Sequence, residues 1–152
     1  MRLSLVFLFL LLTLLPASTQ KVLVDLTTGD LETIKTRLLS GLPGVAKHFK
    51  QSGDDVEIAV VIHGDAYKFF VENLENTKFW ADEQLANAQD ELRQKLGALR
   101  KEYGIVFEMC QVGMNRRGIL SEDIYKFVTP IPSAMIGLVK WQNMGYAYIP
   151  VH

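Results

Sequence analysis

Apolar positions along the chain fall into two regimes, short β-branched runs and longer stripes at spacings of three and four. Lys21 to Leu26 (Lys-Val-Leu-Val-Asp-Leu) is the first short run and predicts a strand. Thr27, Thr28, Gly29 and Asp30 predict the turn after it, with Asp30 as a helix N-cap. Leu31, Ile34, Leu38, Leu42, Val45 and Phe49 then form a helical stripe that Gly41, Pro43 and Gly44 interrupt. Either the helix kinks there, or a second helix starts with Pro43 in its first turn. Ser52 to Asp55 predicts a turn and Val56 to Ile62 a second strand. Its unbroken run Ala59 to Ile62 suits a strand buried on both faces of a parallel sheet. The polar residues His63, Gly64 and Asp65 close it.

Ala66 to Leu74 reads as a short helical piece and Asn76 to Trp80 as irregular. Ala81 to Tyr103 is the clearest helix, with Leu85, Ala88, Leu92, Leu96, Leu99 and Tyr103 on one face. Its charges run from acidic to basic, which suits the helix dipole, and Gly104 ends it. Ile105 to Met109 is a third strand and delivers Cys110 into a short Gly-containing turn that carries Arg116 and Arg117. Ser121 then caps a short helix, with Glu122 and Asp123 in its first turn. Val128 to Pro132 is a brief extended segment, confined by its prolines to an edge or to strand ends. Ser133 caps a last helix, Ala134 to Met144, whose apolar face includes Ile136, Val139 and Trp141. Gly145 closes that helix and Tyr146 to Val151 is a final strand. Strands and helices alternate throughout, so the fold class is α/β with a mostly parallel sheet.

The first residues follow another pattern. Arg2 precedes an apolar run from Leu3 to Leu15, then Pro16 and the small residues Ala17, Ser18 and Thr19. This is the layout of a secretory signal peptide, residues 1–19, ahead of a single domain, residues 20–152. The run is shorter than the roughly 20 residues that span a bilayer, so an uncleaved anchor is the second choice and the only membrane contact expected. The expected location is periplasmic. Losing Arg2 takes the formal charge from −1 to −2, and there is no basic cluster, which argues against a nucleic-acid partner.

Export sharpens the chemistry of Cys110, the only cysteine of the chain. It has no internal disulfide partner in a compartment that oxidises exposed thiols, so it is buried, paired between chains, or used. A thiol at the carboxyl end of a buried strand faces the crevice where α/β folds bind ligands. Cations and free N–H groups nearby favour the thiolate. A small buried hydrophobe is the plainer alternative. His63 also closes a strand and could point into the same crevice, or be a hydrogen-bonded structural residue. A Cys110–His63 pair requires neighbouring strands and a third group to orient the imidazole, neither of which the sequence displays.

Standard cofactor sites are missing. The chain has no dinucleotide Gly-rich fingerprint, no phosphate-cradling loop and no Cys-x-x-Cys pair. His48, His63 and His152 lack metal-ligand spacing to one another or to Cys110, so neither a metal nor another cofactor is expected.

The order of elements, the strand end Val-Val-Ile-His-Gly and the run Phe-Glu-Met-Cys-x-x-x-Met resemble the DsrE/DsrF-like family. So does the ending Pro-Ser-Ala-Met-x-x-Leu-Val-x-Trp-Gln-x-x-Gly-Tyr-Ala-Tyr-Ile-Pro. The resemblance implies a three-layer α/β/α fold, homo-oligomers that are often trimers or hexamers, and a place in sulfur relay. It also implies, in active members, a cysteine that carries sulfur as a persulfide, and Cys110 occupies that place. The expected function is that of a periplasmic carrier exchanging sulfane sulfur with donor and acceptor proteins or polysulfide. Arg116, Arg117 and the N–H groups of Val112 and Gly113 are the expected stabilisers of its anion. A non-catalytic oligomeric binding or scaffold protein with an inert Cys110 is the alternative.

Overall fold

A computed structural model of the chain describes residues 18–152. The expected export segment lies outside the described residues except for Ser18 and Thr19, and these two belong to the fold. β1 (Thr19–Leu26) starts earlier than the apolar pattern marks. The Ser18 amide and hydroxyl both donate to Asp54 Oδ1, at 3.1 and 2.8 Å.

α1 (Leu31–Thr33) runs through a π-helical segment, Ile34–Ser40, into α2 (Gly41–Gln51). Pro43 therefore sits in the first turn of α2, where its missing N–H costs nothing, and the wide π turn spares its ring a clash with the preceding carbonyls. β2 (Asp55–Ile62) leads into 3-10 turns at Ala66–Phe70 and Leu74–Asn76. α3 (Glu83–Tyr103) starts at Asp82, whose side chain accepts from the Leu85 amide at 2.9 Å. Its face of Leu85, Ala88, Leu92, Leu96 and Leu99 is buried as predicted, whereas Tyr103 is exposed because the helix ends beyond the sheet it covers.

β3 (Val106–Cys110) is followed by α4 (Gln111–Arg117), β4 (Val128–Ile131), α5 (Ala134–Asn143) and β5 (Ala147–Val151). Two expectations need correction. The segment after Cys110 is a helix and not a turn, with Cys110 as its extended N-cap residue. No helix follows Ser121. Instead the Asp123 carboxylate is buried, accepting from the Leu120 amide at 3.1 Å and from Asn76 Nδ2 at 2.9 Å, which ties this loop to the 3-10 segment.

The sheet order is β4-β3-β2-β1-β5, and every pair is parallel. Pairing of Asp25 with Val61, and of Val61 with Glu108, puts these residues on one face. Cys110 and His63 share it, because successive strand residues alternate between faces. The opposite face, with Val24, Val60, Ile62, Phe107 and Met109, is buried under α2 and α3. Among the described residues, α5 is the helix that covers the first face. Its buried side is Ala134, Gly137 and Trp141, not the predicted Ile136 and Val139, which are 56% and 51% exposed. Close packing explains the difference: a Cβ on Gly137 would lie 2.5 Å from Ile131 Cδ1, so only a small-residue face lets the helix sit this low on the sheet.

Candidate functional site

Cys110 ends β3 and opens α4, so its sulfur lies where strand gives way to helix. The thiol makes no full capping hydrogen bond. N–H groups of Gly113, Ala134 and Val112 nevertheless stand where they stabilise a thiolate. Gly113 and Val112 belong to the first turn of α4, and Ala134 opens α5, so two helix N-termini converge on one sulfur. Desolvation is the largest single influence and pushes the Cys110 thiol up. The Gly113 amide, the Tyr67 hydroxyl and the amides of Ala134 and Val112 together outweigh it and hold the thiol below its ordinary value. Cys110 is only 7% exposed. A structural thiol at such depth normally sits among apolar groups; this one faces donors.

Tyr67 is the participant that sequence reading missed. It lies in the 3-10 turn after β2, fully buried; its hydroxyl donates to the Cys110 carbonyl at 2.9 Å and favours the thiolate over the thiol. Burial, then the contact with Cys110, pushes its own ionisation well above the ordinary range, so it remains a donor. A Cβ on Gly113 would come within 1.8 Å of this hydroxyl. Gly113 therefore serves twice, supplying an amide and clearing room for the phenol.

The two arginines occupy different places. The Arg117 guanidinium lies over the Tyr67 ring, 4.6 Å from its centroid. It donates to the Gly64 carbonyl and reaches Asp65 Oδ1 at 3.4 Å, so it clamps the phenol and the turn after β2. Arg116 is exposed and forms no ion pair among the described residues. Neither guanidinium is among the main influences on the thiol; the amides and Tyr67 are.

His63 is brought to the same end of the sheet. β2 and β3 are neighbours, with Ile62 paired to Met109, so His63 follows directly beside Cys110. Its Nε2 lies 2.5 Å from Oδ1 of Asp25, a buried carboxylate of β1. The Tyr148 hydroxyl of β5 donates to the other oxygen, Oδ2, at 2.5 Å. Donation to Asp25 holds the Tyr148 phenol above its ordinary value. His63 and Tyr148 line a groove of about 570 Å³ with Ala134, Met135, Leu138, Val139 and Gln142. Deeper under α5, Glu108 accepts from Trp141 Nε1 at 2.8 Å and pairs with Lys140. Another cavity, of about 550 Å³ and lined by Pro43, Lys47, Asp54 and Tyr103, opens at the amino ends of the strands, with no thiol or imidazole among its lining residues.

The sequence profile of the DsrE/DsrF-like family matches residues 20–151, from the first strand to the last. The chain belongs to this family. An uncharacterized protein of Aquifex aeolicus is 31% identical over 145 residues, which make up 95% of this chain. The chain spans 62% of the length of that relative. The solved structure of a protein of unknown function from Methanobacterium thermoautotrophicum superposes with a TM-score of 0.62 at 17% identity, covering 88% of this chain and 98% of that one. That likeness is one of fold, and it agrees with the α/β architecture read from the sequence.

Proposed function

We propose that this DsrE/DsrF-like chain is a sulfur carrier, exported to the periplasm, which accepts sulfane sulfur on Cys110 as a persulfide. The observation that carries the reading is the set of amides from two helix N-termini, with the Tyr67 hydroxyl, around one thiol. The thiolate is the nucleophile, and it attacks the outer sulfur of a persulfide or polysulfide. The same amides and phenol stabilise the persulfide anion that follows, because they are fixed before the charge arrives. An acceptor thiol then takes the outer sulfur and restores the Cys110 thiolate.

Self-association accompanies this reading. Ile136 and Met144, outside the groove and each more than half exposed, leave apolar surface on the outer side of α5. Apolar residues grouped in this way suit contact with further copies, as in the trimers and hexamers of the family.

One observation favours the alternative, a binding or scaffold protein with an inert cysteine: the shallow exposure of Cys110. Intact mass spectrometry after polysulfide treatment separates the two. A gain of whole sulfur atoms, absent in Cys110→Ser, supports the carrier. An unchanged mass in the folded protein, with uptake only after denaturation, makes Cys110 structural and sinks the reading.

A further inference from the structure

The two conditions that a Cys110–His63 partnership needs are both met in the fold: the strands are neighbours, and Asp25 orients the imidazole. The Cys110 thiolate is already stabilised by amides, so it needs no base of its own. The sulfur of the incoming molecule has no such provision. We propose that His63 is the acid and base for the partner's sulfur, with Asp25 and Tyr148 as its positioning residues.

With Nε2 engaged by Asp25, His63 Nδ1 has no hydrogen-bond partner among the described residues. The imidazole is 29% exposed, on the wall of the groove. Ala134 lines that groove too, and its amide faces the Cys110 sulfur. Cys110 itself does not line the groove, and a small persulfide that passes Ala134 to reach the thiolate has the imidazole near its other sulfur. Met135, Leu138 and Val139 give the groove an apolar wall, which selects an aliphatic thiol over a charged one.

The inference rests on the sulfur-carrier reading. In loading, the Cys110 thiolate attacks the outer sulfur of R–S–SH. A new S–S bond forms at Cys110, the donor S–S bond breaks, and RS⁻ leaves with the electron pair. The His63 imidazolium gives RS⁻ its proton. In unloading, neutral His63 takes the proton of R′–SH, and the resulting thiolate attacks the outer sulfur of the Cys110 persulfide. Cys110 leaves as thiolate and His63 is again imidazolium. The sum is R–S–SH plus R′–SH giving R–SH plus R′–S–SH, with no outside oxidant or reductant. An aliphatic thiol is no more acidic than a cysteine side chain, whose pKa is about 8.5, so its anion is a poor leaving group near neutral pH and gains from a proton.

The test compares leaving groups. His63→Gln should slow loading from an alkyl persulfide by about a hundredfold, the low end for general acid–base catalysis. It should leave unchanged the alkylation of Cys110 by iodoacetamide, and its reaction with an aromatic disulfide whose leaving thiolate needs no proton. Tyr148→Phe should show a smaller loss of the same selective kind. Equal slowing in all three reactions marks a structural role and overturns the proposal, as does undiminished loading of His63→Gln. A wild-type protein that takes no sulfur from the persulfide overturns the carrier reading and this one with it; a wild type that loads as fast as His63→Gln overturns only the role of His63.

Discussion

The Tyr67 hydroxyl occupies the space in which a side chain on Gly113 would begin, 1.8 Å from the position of its Cβ. The two residues come from different strand ends, and each fits only because of the other. Gly113→Ala should therefore destabilise the protein by about 1–3 kcal/mol, the usual cost of overpacking. In a Tyr67→Ala background the same change should cost almost nothing. Urea unfolding of the four proteins of this cycle measures the coupling, and additive losses would disprove the contact.

The thiol has its own pH signature. Its folded-state pKa is depressed, so the alkylation rate of Cys110 should inflect below the value of about 8.5 for a free thiol. Tyr67→Phe removes a donor that favours the anion and should move the inflection upward. Arg116→Ala should move it less, since that side chain is exposed and is not among the main influences on the thiol. The sign for stability follows. The contribution of Cys110 is complete above the unfolded pKa and is lost as pH falls through the folded one. Cys110→Ser should thus cost more stability at alkaline than at neutral pH, measured by urea midpoints.

Glu108 offers a comparison of two partners on one carboxylate. Trp141 is buried and donates to Oε2, so Trp141→Phe leaves a buried acceptor unpaired and should cost about 1–3 kcal/mol. The Lys140 side chain is 44% exposed, and an ion pair so open to solvent is worth about 1 kcal/mol at most. Lys140→Met should accordingly be the milder change. Thermal melts of the two variants rank them, and the reverse order would show that charge outweighs the buried hydrogen bond.

Much of this arrangement could be read from local pattern. The buried face of α3, the parallel strands and the shared position of Cys110 and His63 at strand ends depend on spacings of two, three and four residues. What the pattern could not reach is the company these residues keep. Asp25 reads as an ordinary polar position in an apolar strand, and Tyr148 as one aromatic among several. Their meeting joins positions 38 and 123 residues apart. Tyr67 looks like core, because its hydroxyl matters only through a carbonyl 43 residues away. Ile136 and Val139 face outward, against the predicted side, for a related reason. Hydrophobicity alone favours turning them inward, but the sheet surface admits only the slim side that Gly137 provides.

The N-terminal boundary can be checked directly. If cleavage falls on the carboxyl side of Ala17, the new α-amino group of Ser18 sits beside the Asp54 carboxylate that its amide now contacts. N-terminal sequencing of an exported form should place the cut between Ala17 and Lys21. Asp54→Ala should then lower the melting temperature of the mature protein, whereas recovery with residues 1–17 intact would replace export by anchoring.

The outer stripe of α5 predicts the last result. Ile136 is more than half exposed and does not line the groove of His63. Ile136→Lys should leave the fold intact and shift light scattering at micromolar concentration from assembled species to monomer. A wild type that is itself monomeric would show that the stripe serves something other than self-association.

The strand order has a kinetic corollary. β1 is the earliest strand, yet one of its two neighbours is β5, the last, so one side of β1 stays unpaired until the end of the chain arrives. Ribosomal synthesis supplies Asp25 early and Tyr148 late, and contacts so distant in sequence slow the folding search. An intermediate made of the first four strands can already bring Cys110 beside His63. Only the arrival of β5 completes the clamp on Asp25. A chain whose last strand has not yet left the ribosome would hold an exposed sheet edge and an imidazole lacking half its support, so maturation of the site reports completion of the whole fold.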